Sequence, residues 1–336
     1  MIEKLVLFFT MILALSAHAE DFLRGKALDQ KAKITKIAFG SCFNQDAPAP
    51  IWSTILKSNP DLYLGLGDNV YASDPSQRPI WDQYLKIKKH PDLKELFETI
   101  PFLTTWDDHD FGLNDGGKEN PYFEEAKNAY LAAFQVDSLL ISANQRGIEH
   151  SVILGEERQR IQLIFLDTRS YRDPWKKQLI PLPGLGRYEP NEDPSKNLLG
   201  EAQWKWLESQ LDQPAEVRIL VSSIQFLAEG HGYERWGLMP HEQKKLENLI
   251  ILSGDRHLGE IFRKKIDSDV QIIEVTSSGL NKASSIIHEN EPLRVGQLHS
   301  VIHFGFLIID WPKKEVTASL RDQEGAVLEQ ITLSGF

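Results

Sequence analysis

The stretch "PDLYLGLGDNVYASDP", residues 60–75, begins with an apolar run, Leu62–Leu66, stops at Gly67, and then sets Asp68, Asn69 and Tyr71 close together. Dense leucine without polar alternation is the pattern of a strand covered on both faces. Glycine ends it, freeing the backbone to turn sharply. A carboxylate and a phenol therefore stand at the carboxyl end of a buried strand, which is where α/β sheets bind ligands.

The same arrangement recurs along the chain. A run at 34–39 leads into "GSC", placing Cys42. Phe102–Thr105 leads into "WDDHDFGLND", 161–166 into "DTRSYR", 217–222 into "SIQF" and 249–253 into "GDRH". A further run lies at 270–276. Asp and Asn also cap helices and close turns, but capping alone does not account for so many polar strand ends in series. Helical patterns lie between the runs: "PIWSTILKSN", "RPIWDQYLKIKKHPDLKELFETI" with a break at His90-Pro91, "PYFEEAKNAYLAAFQ", "LGEAQWKWLESQL" and "PHEQKKLENLI". Strands alternating with helices predict an α/β layered fold. The C-terminal part reads as antiparallel strands with turns at Pro312-Lys313 and Glu324-Gly325. Residues 173–198 and 281–299 read as loops, and 33–336 as one catalytic domain.

Composition narrows the class. The 336 residues are 41% hydrophobic and 25% charged, with a net charge of −11. Lys and Arg form no cluster that would track a nucleic-acid backbone, and the overall field opposes one. Lys4, an apolar run from Leu5 to Leu15 and Ala17-His18-Ala19 read as a signal peptide over 1–19, implying export to the periplasm or beyond. That run falls short of the ~20 residues that span a bilayer. Cys42 is the single cysteine, so no disulfide can form within the chain.

Asp68, Asp107, Asp108, Asp110, Asp255, His109, His257, Cys42 and Tyr71 are all potential metal ligands. Gathered carboxylates repel one another unless a cation lies between them. Thiolate and phenolate suit a strongly polarising transition metal, while carboxylates and amides suit calcium or magnesium. Bland readings stand beside these. Cys42 could be a small buried hydrophobe and Asp68 a turn residue. Arg169 could grip a phosphate oxygen or pair with an acid, and Asn114 could ligate or close a turn. His231 and Trp236 could wall a cleft or pack in the core.

In this order, "IAFGSC", "LYLGLGDNVY", "TTWDDHDFGLND", "LDTRSYR" and "ILSGDRHLGEI" resemble the alkaline-phosphatase-D-like (PhoD-like) metallophosphoesterases, from Ile37 to Asn281. The resemblance implies a calcineurin-like fold, two packed β-sheets flanked by helices. It implies hydrolysis of phosphomonoesters or phosphodiesters at a site holding Fe(III) and Ca(II). Cys42, Asp68 and Tyr71 match the family's iron ligands, with Asp68 bridging the metals, and Asp255 matches a further ligand. Asp108-His109 stands where the wider superfamily has Asn-His, which puts Asp108 near a metal and His109 toward the leaving group. His257 is then a ligand or the partner of one, and Arg169 a candidate for substrate phosphate. The expected substrate is a small phosphoester or a phospholipid or polymer phosphodiester. Narrower alternatives are a phospholipase C-like or teichoic-acid phosphodiesterase, or a calcium-dependent binding protein on the same scaffold. Few residues separate position 19 from the first strand, which implies that the N-terminal β-sandwich of larger members is absent.

Overall fold

The buried runs become strands whose ends line up. The computed structural model describes residues 25–72, 74–134, 140–142, 144–181, 184–243, 246, 249–266, 271–284 and 289–335. The segment read as a signal peptide lies outside these residues. Strands β1 (Lys36–Gly40), β2 (Leu62–Leu66) and β3 (Phe102–Thr105) run parallel, and β1 pairs on its other side with antiparallel β11 (His303–Asp310). β12 (Glu315–Asp322) and β13 (Val327–Ser334) complete a six-stranded sheet of order β13-β12-β11-β1-β2-β3.

The second sheet has a parallel centre of β5 (Ile161–Phe165), β6 (Val217–Val221), β7 (Ile250–Ser253) and β9 (Gln271–Ser277). Antiparallel β4 (His150–Leu154), β8 (Gly259–Lys265) and β10 (Arg294–His299) extend it to the order β10-β8-β9-β7-β6-β5-β4. The sequence reading places 281–299 in a loop. Its last residues instead form β10, an edge strand whose half-buried to exposed "RVGQLH" carries no buried run to mark it.

Each strand sends alternate side chains to opposite faces, and this builds the layers. Ile37, Phe39, Leu62, Leu64 and Leu66 face the other sheet and pack with Leu163, Phe165, Ile219, Val221, Leu252 and Val275. Ala38, Tyr63 and Phe306 face outward, beneath the helices α1 (Ile51–Lys57), α2 (Ile80–Lys89), α3 (Lys94–Thr99) and α5 (Phe123–Phe134). A short helix α4 (Asp108–Phe111) follows β3 directly. On the far side, Ile164, Leu220 and Ile251 meet Trp204 and Leu207 of α6 (Gly200–Leu211). Fully burying each such aliphatic or aromatic side chain contributes roughly 1.5–3 kcal/mol. α2 ends at His90 and α3 starts beyond Pro91, where the sequence predicts the break. The helix expected in "PHEQKKLENLI" is described only as α7 (Pro240–Gln243). Among the described residues of 173–198 there is neither helix nor named strand, yet Trp175 and Tyr188 anchor this loop in the core.

Register sets the site. Gly40 lies opposite Gly65, and Leu66 opposite Thr105. In the other sheet Phe165 pairs with Val221, Val221 with Leu252 and Ser253 with Thr276. The carboxyl ends of the two parallel blocks therefore finish side by side. Backbone bonds Ser41 N–H to Ser277 O (2.9 Å) and Leu280 N–H to Ser41 O (3.2 Å) tie the sheets together there.

Candidate metal centre

Strand ends can crowd this closely only where side chains are missing. A Cβ on Gly67, whose φ is +95°, would lie 2.6 Å from Asp107 Cβ. A Cβ on Gly254 would lie 2.4 Å from Ser41 Oγ. These glycines let the segment after β2 approach the one after β3, and the segment after β7 approach the one after β1. The neighbouring ligand candidates bear the cost: Cys42, Asp68, Asp255 and His257 all sit at positive φ, between 50° and 67°. Left-handed backbone at non-glycine residues is uncommon, and strain of this kind gathers at functional sites.

The structure brings the predicted residues into two adjoining groups. Ligand atoms of Cys42, Asp68 and His257 lie within 4.8 Å of one another, as do those of Asp107, Asp108 and Asp255. Asp68 also groups with Asp108 and His109, so it joins the two. Cys42 Sγ donates to Asp68 Oδ2 at 3.4 Å and stands 3.0 Å from Ser278 Oγ. Tyr71 OH lies 3.4 Å from His257 Nε2. The His257 Nδ1–H donates to the Lys282 carbonyl at 2.7 Å, which turns the Nε2 lone pair toward the centre. The His109 backbone N–H donates to Asp68 Oδ1 at 3.4 Å, and its ring lies 4.2 Å from the Tyr71 ring. Asp108 Oδ2 accepts from Asp115 N–H at 2.7 Å.

Two atoms bear on whether cations fit. Asp107 Oδ2 and Asp108 Oδ1 are buried and, among the described residues, lack a hydrogen-bond partner. Buried oxygens of this kind are costly to leave unpaired, and a cation satisfies both. Electrostatics agree. Burial, then the charges of Cys42 and Asp108, pushes the Asp68 carboxyl well above its usual range. Burial and Asp107 do the same to Asp255. Burial works to raise Asp108, but His109 and Arg169 outweigh it and hold that carboxyl at about 2. Burial would also raise the Cys42 thiol, yet the facing His257 brings it down to about 6, a thiolate suited to ligation. Burial and the Cys42 charge push the Tyr71 phenol upward, so its ionisation calls for a strong Lewis acid. The set of thiolate, imidazole, phenol and carboxylates fits metal ions.

Arg169 takes the second of its two readings. It is fully buried, with Nε 2.7 Å from Asp107 Oδ1 and Nη1 2.7 Å from Glu234 Oε1. Asp107 Oδ1 also accepts from Ser223 Oγ at 2.6 Å. Asp110 is a brace: its carboxylate takes the N–H groups of Asn69 and Asp107 and the Tyr84 hydroxyl. Asn114 is exposed and bonds Asp115, closing a turn. His231 is buried against Gln225, and Trp236 packs on Trp204 and Phe226, so both belong to the core and not to a cleft wall. Sequence reasoning missed Glu234, Ser223, Ser278 and Lys282. Glu234 lies inside "HGYERWGLMP", where His231 and Trp236 drew attention instead. The others stand in short polar loops without a pattern.

The family model for PhoD-like phosphatase matches residues 37–299. The chain belongs to the PhoD-like phosphatase family. Alkaline phosphatase D of Bacillus subtilis (strain 168) is 23% identical over 269 residues, covering 66% of this chain and 45% of that protein. The chain thus spans less than half the length of that curated relative. A solved structure of PhoD superposes with a TM-score of 0.66 at 19% identity, over 92% of this chain and 70% of the other. A purple acid phosphatase from yellow lupin (Lupinus luteus) seeds gives 0.59 at 14%, over 91% and 55%. A dimetal phosphatase from Danio rerio gives 0.52 at 11%, over 90% and 99%. These likenesses bear out the calcineurin-like fold expected for a PhoD-like chain, with two packed sheets between helices. Among the described residues no helix is long and apolar enough to cross a membrane.

Proposed function

We propose that the chain is an exported, metal-dependent phosphoesterase that hydrolyses phosphomonoesters or phosphodiesters at this centre. The observation that carries the reading is the pair of buried oxygens Asp107 Oδ2 and Asp108 Oδ1, unpartnered among the described residues, on two acids that group with Asp255, while Asp108 also groups with Asp68 of the Cys42–Asp68–His257 set. Family membership adds to it. Cys42, Asp68, Tyr71 and His257 would hold one ion, and thiolate with phenolate points to Fe(III). Asp68, Asp108 and Asp255 would hold the other, and all-oxygen ligation points to Ca(II). Bound there, the ions supply Lewis-acid charge that activates water and neutralises phosphoryl oxygens.

The chain's own residues do the rest. Asp68, shared by both groups, fixes their separation. Asp115 N–H steadies Asp108, and the Lys282 carbonyl orients His257. His109 lies on the Tyr71 ring within reach of Asp108 (Nε2 to Oδ1 4.0 Å), held at the edge of the centre. From there it protonates the leaving oxygen or donates a hydrogen bond to the phosphoryl group. The loop 173–198 lies near: Arg187 pairs with Asp115. Its outer residues are the place where specificity for one ester over another would reside. Export rests on Lys4 and the apolar run after it. The test is turnover of p-nitrophenyl phosphate and bis-p-nitrophenyl phosphate by metal-loaded protein, with metal analysis of the same sample.

A further inference from the structure

Lys282 lies in the loop after β9 and reaches back over the centre. Its Nζ stands 3.5 Å from the centroid of the Tyr71 ring, and that ring lies 4.2 Å from His109. Ammonium, phenol and imidazole thus form one continuous surface. The negative groups acting on the ammonium are Asp68, Cys42 and Asp108, all candidate ligands. Among the described residues it makes no ion pair with a carboxylate of its own.

Charge balance gives this position meaning. Asp68, Asp108, Asp255, a Cys42 thiolate and a Tyr71 phenolate carry negative charge that Fe(III) and Ca(II) together match, and Arg169 with Arg172 is matched by Asp107 and Glu234. The Lys282 charge is then left without a counter-charge in a half-buried setting, which is unfavourable until an anion arrives. The residue is also held in place: its carbonyl accepts from His257 Nδ1–H at 2.7 Å. The backbone is fixed by the ligand while the flexible stem leaves three donors on a compact charge. Arg169 cannot take this part, because its fork is buried and engaged.

We propose that Lys282 holds a non-bridging oxygen of the substrate's phosphoryl group and thereby favours phosphomonoester dianions over phosphodiester monoanions. The inference rests on the phosphoesterase reading for its substrate. Its selectivity follows from Coulomb's law, since attraction to a fixed cation grows with the charge on the ester.

The test is equilibrium binding of inorganic phosphate to the metal-loaded protein, for wild type, Lys282→Met and Lys282→Arg, with metal content measured for each. Losing a charge-assisted hydrogen bond weakens phosphate binding by ~10-fold or more in Lys282→Met. Lys282→Arg, which keeps the charge, recovers most of it. In parallel, the kcat/KM ratio of p-nitrophenyl phosphate to bis-p-nitrophenyl phosphate falls several-fold in Lys282→Met, roughly as expected for loss of one ionic contact. Unchanged phosphate affinity in Lys282→Met overturns the proposal. So does loss of metal from that variant, because Lys282 would then serve His257 and not the substrate. Phosphate binding needs no turnover, so a chain that binds phosphate through Lys282 but hydrolyses neither ester would refute the phosphoesterase reading and leave this contact standing.

Discussion

Tyr71 places its hydroxyl 3.4 Å from His257 Nε2, joining the segment after β2 in one sheet to the segment after β7 in the other. Neither residue is near the other in sequence. They meet because each follows a strand that stops at a glycine on the same edge of the sandwich.

That meeting predicts a colour. A phenol and a thiolate on ferric iron absorb visible light by charge transfer, and free tyrosine, with a pKa of about 10, ionises at neutral pH only beside a strong Lewis acid. Concentrated metal-loaded protein should be coloured. Tyr71→Phe should bleach or shift the band, and Cys42→Ser should perturb it. A colourless, iron-free and fully active protein would contradict the iron assignment.

His109 should matter to chemistry more than to folding. His109→Ala should keep metal content near wild type and lower kcat by ~10²-fold or more if the residue is a general acid. The loss should shrink for esters with good leaving groups, which need little protonation. An equal loss across leaving groups of different pKa would assign His109 to phosphoryl binding instead.

The Arg169 bridge between Asp107 and Glu234 should be structural. Removing one partner from a buried ionic group leaves uncompensated charge and costs about 3–5 kcal/mol. Arg169→Met should lower stability by that order in urea titrations of the metal-free protein. A change below about 1 kcal/mol would mean that the acids find other partners or lose their charge without cost.

Much of this was legible in the sequence. The runs at 62–66 and 102–105 became strands with the predicted bounds, and the dense apolar run Leu62–Leu66 is buried along its whole length. Cys42, Asp68, Asp108, Asp255 and His257 lie in adjoining groups at the ends of their strands, and Tyr71 OH reaches His257 Nε2. The edge strands β4 and β10 escaped notice, because an edge needs no continuous apolar run. Arg169 could not be settled from sequence: its partner Glu234 arrives from 65 residues away. Lys282 was illegible for the same reason, as its meaning lies in the ring beneath it.

Glu149 gives a pH dependence away from the centre. Burial, then the Asp167 charge, raises its carboxyl from 4.5 to about 7, and its Oε2 is unpartnered among the described residues. A carboxyl raised in the folded state contributes stability that is fully present below its unfolded pKa and lost as pH rises through the folded one. Stability should therefore fall between about pH 4.5 and 7 through this group and level off above that. Glu149→Gln, which donates toward Asp167 without ionising, should narrow the gap between melting temperatures at pH 5 and pH 8. An unchanged gap would place the pH dependence elsewhere.

Asp68, Asp108 and Asp255 are proposed to work by holding metal ions for phosphoester hydrolysis. The most direct measurement is turnover of p-nitrophenyl phosphate and bis-p-nitrophenyl phosphate by one preparation as purified, after chelation with metal loss verified, and after reloading. Activity on at least one ester should vanish with the metal and return with it. Turnover that survives verified metal removal, or a metal-loaded protein that hydrolyses neither ester, would contradict the account.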